Sequence, residues 1–347
     1  MGDLSDLGIV EPCGTCSAQR ECVYAAHAQQ SSGPLITSAP MNVVALAGGT
    51  GGAKLLVGLD RALSQDDLLT AIVNTGDDET IYGVHVSPDV DICTYWLAGI
   101  ADTDRGWGIR DDTFNVVEAF GRLGAETWFS LGDRDFATCL YRTDRIRAGA
   151  TLSAVIDEIR RSFGIRCRLL PMSDEAVRTR MALTDGRTLD FQEYFVKERH
   201  QPDVAEVRFA GIADAKPAPG VIDAIADADR VILCPSNPVV SIGPILALSG
   251  VREALKDHPS VAAVSPIVQG AALKGPADRL LPVVEAEVSA SGVAGLYADF
   301  CDMFVVDASD EPEIAFVEQQ GVPAVALDTI MSDHDASERL ARDLLSL

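Results

Sequence analysis

Basic residues are scarce in this chain: 28 Lys and Arg stand against 52 Asp and Glu in 347 residues, a formal charge of −24. A nucleic-acid partner needs a Lys/Arg footprint, so that class is excluded. Long apolar runs are missing too, which argues against a bilayer span. Residues 1–40 lack the basic start and continuous apolar stretch of a secretory signal. The expectation is a cytoplasmic protein with no membrane partner. Histidine is also sparse, with five scattered copies and no H-E-x-x-H or Ser–His–Asp order, which disfavours a zinc hydrolase. Of these, His85 reads as a polar surface residue and not as a base.

What is present is acid, glycine and alternating apolar runs. Residues 1–40 hold four acids (Asp3, Asp6, Glu11, Glu21) and Arg20, so 21 of the 24 net negative charges lie in the remainder. An acidic protein that holds a polyphosphate needs local compensation, and a divalent cation on some of its carboxylates supplies it. Five of the eight cysteines are spread singly, as reduced thiols are. Cys13, Cys16 and Cys22 form C-x2-C-x5-C without a fourth ligand nearby, and the Ser-, Gln- and Gly-containing segment 1–40 reads as a flexible extension.

From Met41 the pattern is short apolar strand, turn, amphipathic helix, repeated. Strands are expected at 42–47, 70–74, 230–234, 261–265, 302–307 and 322–327, and helices at 53–63, 112–123, 219–227, 276–288 and 333–346. Continuous apolar strands are those of a parallel sheet covered on both faces. The fold class is therefore α/β, a Rossmann-like, doubly wound, mostly parallel sheet. A helix near 151–163 and strands at 165–170, 177–184 and 187–196 read as an inserted smaller α+β subdomain. Its last two strands are joined through Asp185-Gly186. The division is thus 1–40 extension, 41–140 with 215–347 nucleotide-binding core, and 141–214 insertion covering the cleft.

Chemistry concentrates in the loops that follow strands. Gly48-Gly49-Thr50-Gly51-Gly52-Ala53-Lys54 follows the first strand and precedes a helix, the layout of a phosphate cradle. It matches neither a Walker A motif nor the G-x-G-x-x-G spacing. Asn74-Thr75-Gly76-Asp77-Asp78-Glu79 and Ser87-Pro88-Asp89-Val90-Asp91 form an acidic knot at the next strand end. Such a knot suits Mg2+, which binds through one or two carboxylates plus substrate phosphate; alternatively Asp89 or Asp91 caps a helix at 92–98. In Leu131-Gly132-Asp133-Arg134-Asp135 the arginine is either a surface ion pair or a phosphate clamp. Cys234-Pro235-Ser236-Asn237-Pro238 and the loop from Ser265 to Lys274 bring further polar groups to the same sheet edge.

Taken in order, these motifs, with Leu170-Pro171-Met172-Ser173-Asp174 and Ser241-Ile242-Gly243-Pro244-Ile245, closely resemble the 2-phospho-L-lactate transferase family (CofD, called FbiA in actinobacteria) from Met41 almost to the C-terminus. The resemblance implies a Mg2+-dependent, commonly homodimeric enzyme of coenzyme F-420 biosynthesis. Such an enzyme moves a phospho-acid from its guanylylated diphosphate donor to a hydroxyl of the deazaflavin Fo, with release of GMP. It implies Asp77, Asp91 and Arg134 as catalytic residues and Asp77, Asp91 and Asp78 as metal carboxylates, with Asp89 supporting. Gly49, Thr50, Gly51, Gly52, Ser236 and Asn237 would hold the guanosine diphosphate part, with Ser265 and Lys274 lining the same site. Cys139 stands where the family usually has His, which leaves phospholactate, phosphoenolpyruvate and 3-phosphoglycerate open as the acid. A non-catalytic, nucleotide-sugar-binding regulator of the related gluconeogenesis-factor branch is the alternative. An NAD-dependent enzyme would want a different glycine spacing.

Overall fold

The apolar runs that alternate with amphipathic stretches come together as one parallel sheet. The structure, a computed structural model, describes residues 39–347, so Cys13, Cys16, Cys22 and most of the N-terminal extension lie outside the described residues. The sheet strands are β1 (Asn42–Ala47), β2 (Leu68–Val73), β3 (Arg168–Pro171), β4 (Arg230–Leu233), β5 (Val261–Val264), β6 (Met303–Asp307) and β7 (Ala324–Leu327). They pair in the order β7-β6-β5-β4-β1-β2-β3, all parallel. Alternate residues of β1 feed opposite faces. Val44 and Leu46 join one core cluster, and Val43, Ala45 and Ala47 join the other. The inner strands are buried from both sides by helices, which is why they read as unbroken apolar runs, while the edge strand β7 is half-buried throughout. Among the described residues no helix is long and apolar enough to cross a membrane.

Five helices matter for the site: α1 (Gly49–Ala62), α2 (Pro88–Leu97), α3 (Asn115–Arg122), α4 (Asp133–Arg147) and α5 (Leu152–Ser162). A small hairpin, Glu79–Ile81 with Val84–Val86, lies between β2 and α2 and turns at Tyr82-Gly83, both at positive φ.

The middle of the chain departs from expectation in three places. The strand expected at 165–170 is β3, which pairs with β2 at the edge of the central sheet. With α4 and α5 it belongs to the core, so the chain leaves the central sheet after Pro171 and not at 141. The separate antiparallel sheet comprises Arg178–Leu183, Thr188–Asp190 and a further strand, Val204–Ala210, beyond those expected. The strand expected to run to 196 stops at Asp190, and Glu193–Lys197 is a π-helical turn. There Phe191 stacks on Phe195 with ring centroids 5.6 Å apart, a contact that a strand would forbid by holding residues four apart at about 13 Å. The helix expected at 276–288 breaks into Ala277–Leu280 and a 3-10 turn at Pro282–Val284, because Pro282 has no N–H to continue the ladder.

Candidate active site

The order of the sheet reverses between β1 and β4: successive strands run from β1 to β3 on one side and from β4 to β7 on the other. Ligands of open α/β sheets bind beyond the C-terminal strand ends at such a switch point. Here that position is filled by the glycine turn after β1 and the Pro235-Ser236-Asn237 loop after β4. Helix α1 begins at Gly49, four residues earlier than expected, so the glycines form its first turn. Only Gly49 of the four has a positive φ, +63°. The other three are required by close approach. A Cβ on Gly48, Gly51 or Gly52 would lie 2.3 Å from Asp89 Oδ2, 2.3 Å from the Pro235 carbonyl or 2.8 Å from Ser236 Oγ.

Ser236 closes this turn in both directions. Its Oγ accepts from Gly48 N at 3.1 Å and donates to Gly48 O at 2.7 Å. Asn237 Oδ1 accepts from the Val239 and Val240 amides, while its Nδ2 is buried without a protein partner. Thr50 Oγ1 donates to Gly106 O at 3.2 Å, and Lys274 Nζ stands 2.5 Å from where a Cβ on Gly106 would be. Lys54 is pushed below the usual lysine range, first by burial and next by the charge of Lys274. Lys54 Nζ donates to the Met331 carbonyl at 2.7 Å and lies 5.9 Å from the Trp96 ring centroid.

The acidic knot divides into two clusters on opposite faces of α2. Asn74, at the end of β2, donates its Nδ2 to Asp77 Oδ1 (3.2 Å), Asp89 Oδ2 (2.9 Å) and the Val240 carbonyl (3.2 Å). Asp77 Oδ2 also accepts from Gln192 Nε2 at 3.0 Å, and Asp89 Oδ1 from the Gly49 amide at 2.7 Å. Both carboxyls are buried, and among the described residues no Lys or Arg pairs with either. Burial, reinforced for Asp77 by the Asp89 and Asp78 charges, raises both above the carboxylate range.

On the other face, Asp91 presents both oxygens to Arg142, whose Nη1 is 3.1 Å from Asp91 Oδ2 and whose Nη2 pairs with Oδ1. The Arg142 residue is fully buried and also donates to His85 O at 3.0 Å. Asp135 accepts from Tyr95 Oη at 2.7 Å and is pushed up to about 7, mainly by burial and then by the Asp91 charge. Cys139 Sγ stands 3.9 Å from both carboxylates. Asp91, Asp135 and Cys139 offer ligand atoms within 4.8 Å of one another, but Asp91 is already paired with the Arg142 guanidinium.

Several expected residues are placed differently. Helix α2 starts at Pro88, not 92, so Asp89 and Asp91 are separated by roughly 200° around it. Asp77, Asp78 and Asp91 consequently do not converge as a three-acid metal set. Asp78 instead accepts from Ser87 Oγ at 2.6 Å and pairs with His85 Nε2 at 2.7 Å, which makes His85 a half-buried partner of the knot and not a free surface residue. Arg134 is 56 % exposed and engages Asp112 and the Arg110 carbonyl, none of them in the glycine turn. The flanking Asp133 caps α3 by accepting from the Val116 amide. Ser265 spends its hydroxyl on Ile267 within its own turn. Cys139 is buried behind Asp91, away from the glycine turn. Arg142 had no role in the sequence analysis. Its signal was the i, i+4, i+7 spacing of Asp135, Cys139 and Arg142, one face of α4.

Known proteins are similar to this chain in sequence and in fold. The family model described as 2-phospho-L-lactate transferase CofD matches residues 43–345. A protein of Kitasatospora aureofaciens named phosphoenolpyruvate transferase is 44 % identical over 313 residues, covering 88 % of this chain and 98 % of its own. One of Methanosarcina mazei named 2-phospho-L-lactate transferase is 40 % identical over 299 residues, covering 86 % and 98 %. In fold, the chain is similar to the crystal structure of a UPF0052 family member from Bacillus halodurans, with a TM-score of 0.60 at 18 % identity over 88 % of this chain and 99 % of that one.

Proposed function

The chain belongs to the 2-phospho-L-lactate transferase CofD family, enzymes of coenzyme F-420 biosynthesis, and on that premise we propose that it transfers a phospho-acid from a guanylylated donor to a hydroxyl of Fo, releasing GMP. The observation that carries this reading is a buried Asp77–Asp89 pair with no Lys or Arg partner among the described residues, set against the glycine turn at the switch point. Two raised carboxyls sharing one amide are a pair that a divalent cation would ionise, so the residues fit Mg2+ held through Asp77 and Asp89. When bound, Mg2+ neutralises charge on the diphosphate and on the leaving GMP.

The chain's own groups do the rest. The first turn of α1, with Ser236 and Asn237 across the crevice, holds the guanosine diphosphate part, and Lys54 and Lys274 balance its charge. The Fo hydroxyl oxygen attacks the phosphorus that bears the acid and gives up its proton to water, the bridging P–O bond breaks, and GMP departs with the bonding pair. Asp91 acts through structure. Locked to Arg142, it fixes α2 so that Asp89 faces the glycine turn.

The test is incubation with Fo, Mg2+ and, in turn, the guanylylated forms of phosphoenolpyruvate, 2-phospho-L-lactate and 3-phosphoglycerate, read by product mass. Fo carrying the phospho-acid, with one GMP released per turnover, is expected. No such product from any donor rejects the reading.

A further inference from the structure

The Asp77 carboxyl is held from two sides, and only one of them belongs to the central sheet. Asn74, at the end of β2, donates to Oδ1 at 3.2 Å. Gln192 Nε2 donates to Oδ2 at 3.0 Å from 115 residues further along the chain. Gln192 is nine-tenths or more buried. It lies between the antiparallel strand Thr188–Asp190 and the π-helical turn Glu193–Lys197.

That stretch of backbone is unfavourable and heavily anchored. π-helical turns are rare and frequently mark functional sites. Just beyond this one, two consecutive non-glycine residues, Arg199 and His200, sit at positive φ, +52° and +45°. Such conformations persist only where the surroundings over-determine them. Here Phe191 and Tyr194 share an apolar cluster with Val239 and Val240 of the loop after β4, and Phe195 stacks on His200 with ring centroids 5.6 Å apart. Lys197 Nζ reaches Glu126 at 2.8 Å. Val240 in turn offers its carbonyl to the same Asn74 Nδ2 that holds Asp77. The antiparallel sheet also grips the backbone beside Asp77, since the Thr179 amide donates to the Gly76 carbonyl at 2.6 Å. Gln192 is thus delivered to Asp77 by a turn that packs on the site's own loops.

Both donors on Asp77 are neutral amides. An arginine at 192 would orient the carboxyl but would also satisfy its charge, as Arg142 does for Asp91. An amide N–H fixes the oxygen and leaves it the charge and a lone pair for a metal ion. We propose that Gln192 is a positioning residue, through which the antiparallel sheet holds Asp77 beside Asp89 for a divalent cation. The assignment rests on the transferase reading above. It adds a role for the inserted sheet, which sets cation affinity without touching the donor's seat.

The test is calorimetric titration of Mg2+ into the full chain carrying one equivalent of GDP, in wild type, Gln192→Met and Gln192→Asn. Methionine keeps the length and packing of the side chain and loses the donor; asparagine keeps the amide and falls short of Asp77. Mg2+ affinity is expected to fall about tenfold or more in both, the usual effect of removing a hydrogen-bond partner of a metal ligand. GDP affinity without metal should stay unchanged, and turnover should recover as Mg2+ is raised, so that the loss lies in the Mg2+ requirement and not in kcat. Thermal melts without metal identify a variant that has lost its fold, and the other then decides. Wild-type Mg2+ affinity in Gln192→Met, or an equal loss of metal-free GDP binding, overturns the positioning role and leaves the transferase reading standing. No Mg2+ binding by the wild type overturns the cation pair and the role of Gln192 together.

Discussion

Helix α2 carries two buried aspartates two residues apart, and they meet the cost of a buried charge in opposite ways. Asp91 has an internal cation: Arg142 reaches from α4 to pair with it on α2. Asp89 accepts from the amides of Gly49 and Asn74, shares the latter with Asp77, and has no Lys or Arg partner among the described residues. A carboxylate closed by an arginine is architecture, because the desolvation of both charges is already offset. A carboxylate pair left with hydrogen bonds but no counter-charge is held in place for something that arrives. The difference separates the structural part of the acidic knot from the reactive part.

The sharpest way to break this comparison is to neutralise one aspartate from each cluster. Asp77→Asn and Asp89→Asn should each reduce transfer by about 10^3-fold or more, the scale of losing a charge-stabilising group. Their apo forms should melt no lower than the wild type, since each removes a charge from an uncompensated pair. Steady-state kinetics beside thermal melts reads both effects, and a variant that is active but unstable would reverse the assignment. Arg142→Met should do the opposite. It should cost about 3–5 kcal/mol of stability by leaving Asp91 buried and unpaired, and Arg142→Met with Asp91→Asn should recover much of that loss. Denaturant titration of the single and double variants measures the coupling. Additive losses would mean that the ion pair is not what holds α2 to α4.

The central sheet was legible because burial on both faces leaves an unbroken apolar run, which no other strand environment imitates as well. Loop positions were legible for the same reason, since a parallel sheet puts its loops at one edge. Side-chain direction was not. Placing the start of α2 at 92 and not at Pro88 made Asp89 and Asp91 look like neighbours in a loop, and four residues of helix turned them apart. The same limit applies to Cys139. Its spacing from Asp135 and Arg142 puts it on the inner face of α4, but whether that face meets the cleft or another helix depends on packing that no local pattern encodes. The edge strand β3 was misassigned because a strand's sheet is chosen by long-range pairing with β2, across almost a hundred residues that include α2 to α5.

The glycine turn sharpens the comparison from the nucleotide side. Gly51 is not at positive φ, and its role is to let the Pro235 carbonyl come close. Gly51→Ala must push the β4 loop away, at a cost of about 1–3 kcal/mol by overpacking, and should weaken GDP binding more than Fo binding. Calorimetry with each ligand distinguishes this from general unfolding, which would weaken both.

The smallest expected effect tests whether the Arg142 cluster is electrostatically closed. Asp135 shares that cluster, and burial with the Asp91 charge raises it to about 7. A carboxyl whose folded value exceeds its unfolded value of about 3.9 binds its proton more tightly when folded. Its stabilising contribution is therefore full below pH 4 and is lost as pH rises through about 7. Asp135→Asn keeps an oxygen for the Tyr95 hydroxyl and removes the titration. The variant should gain on the wild type by on the order of 1–2 kcal/mol between pH 5 and pH 8, at most one proton's linkage over that interval. Urea unfolding at the two pH values, without Mg2+, measures it. Parallel stability curves for the two proteins would mean that Arg142 compensates Asp135 as well as Asp91, and that the whole cluster, not only the ion pair within it, is closed to protons.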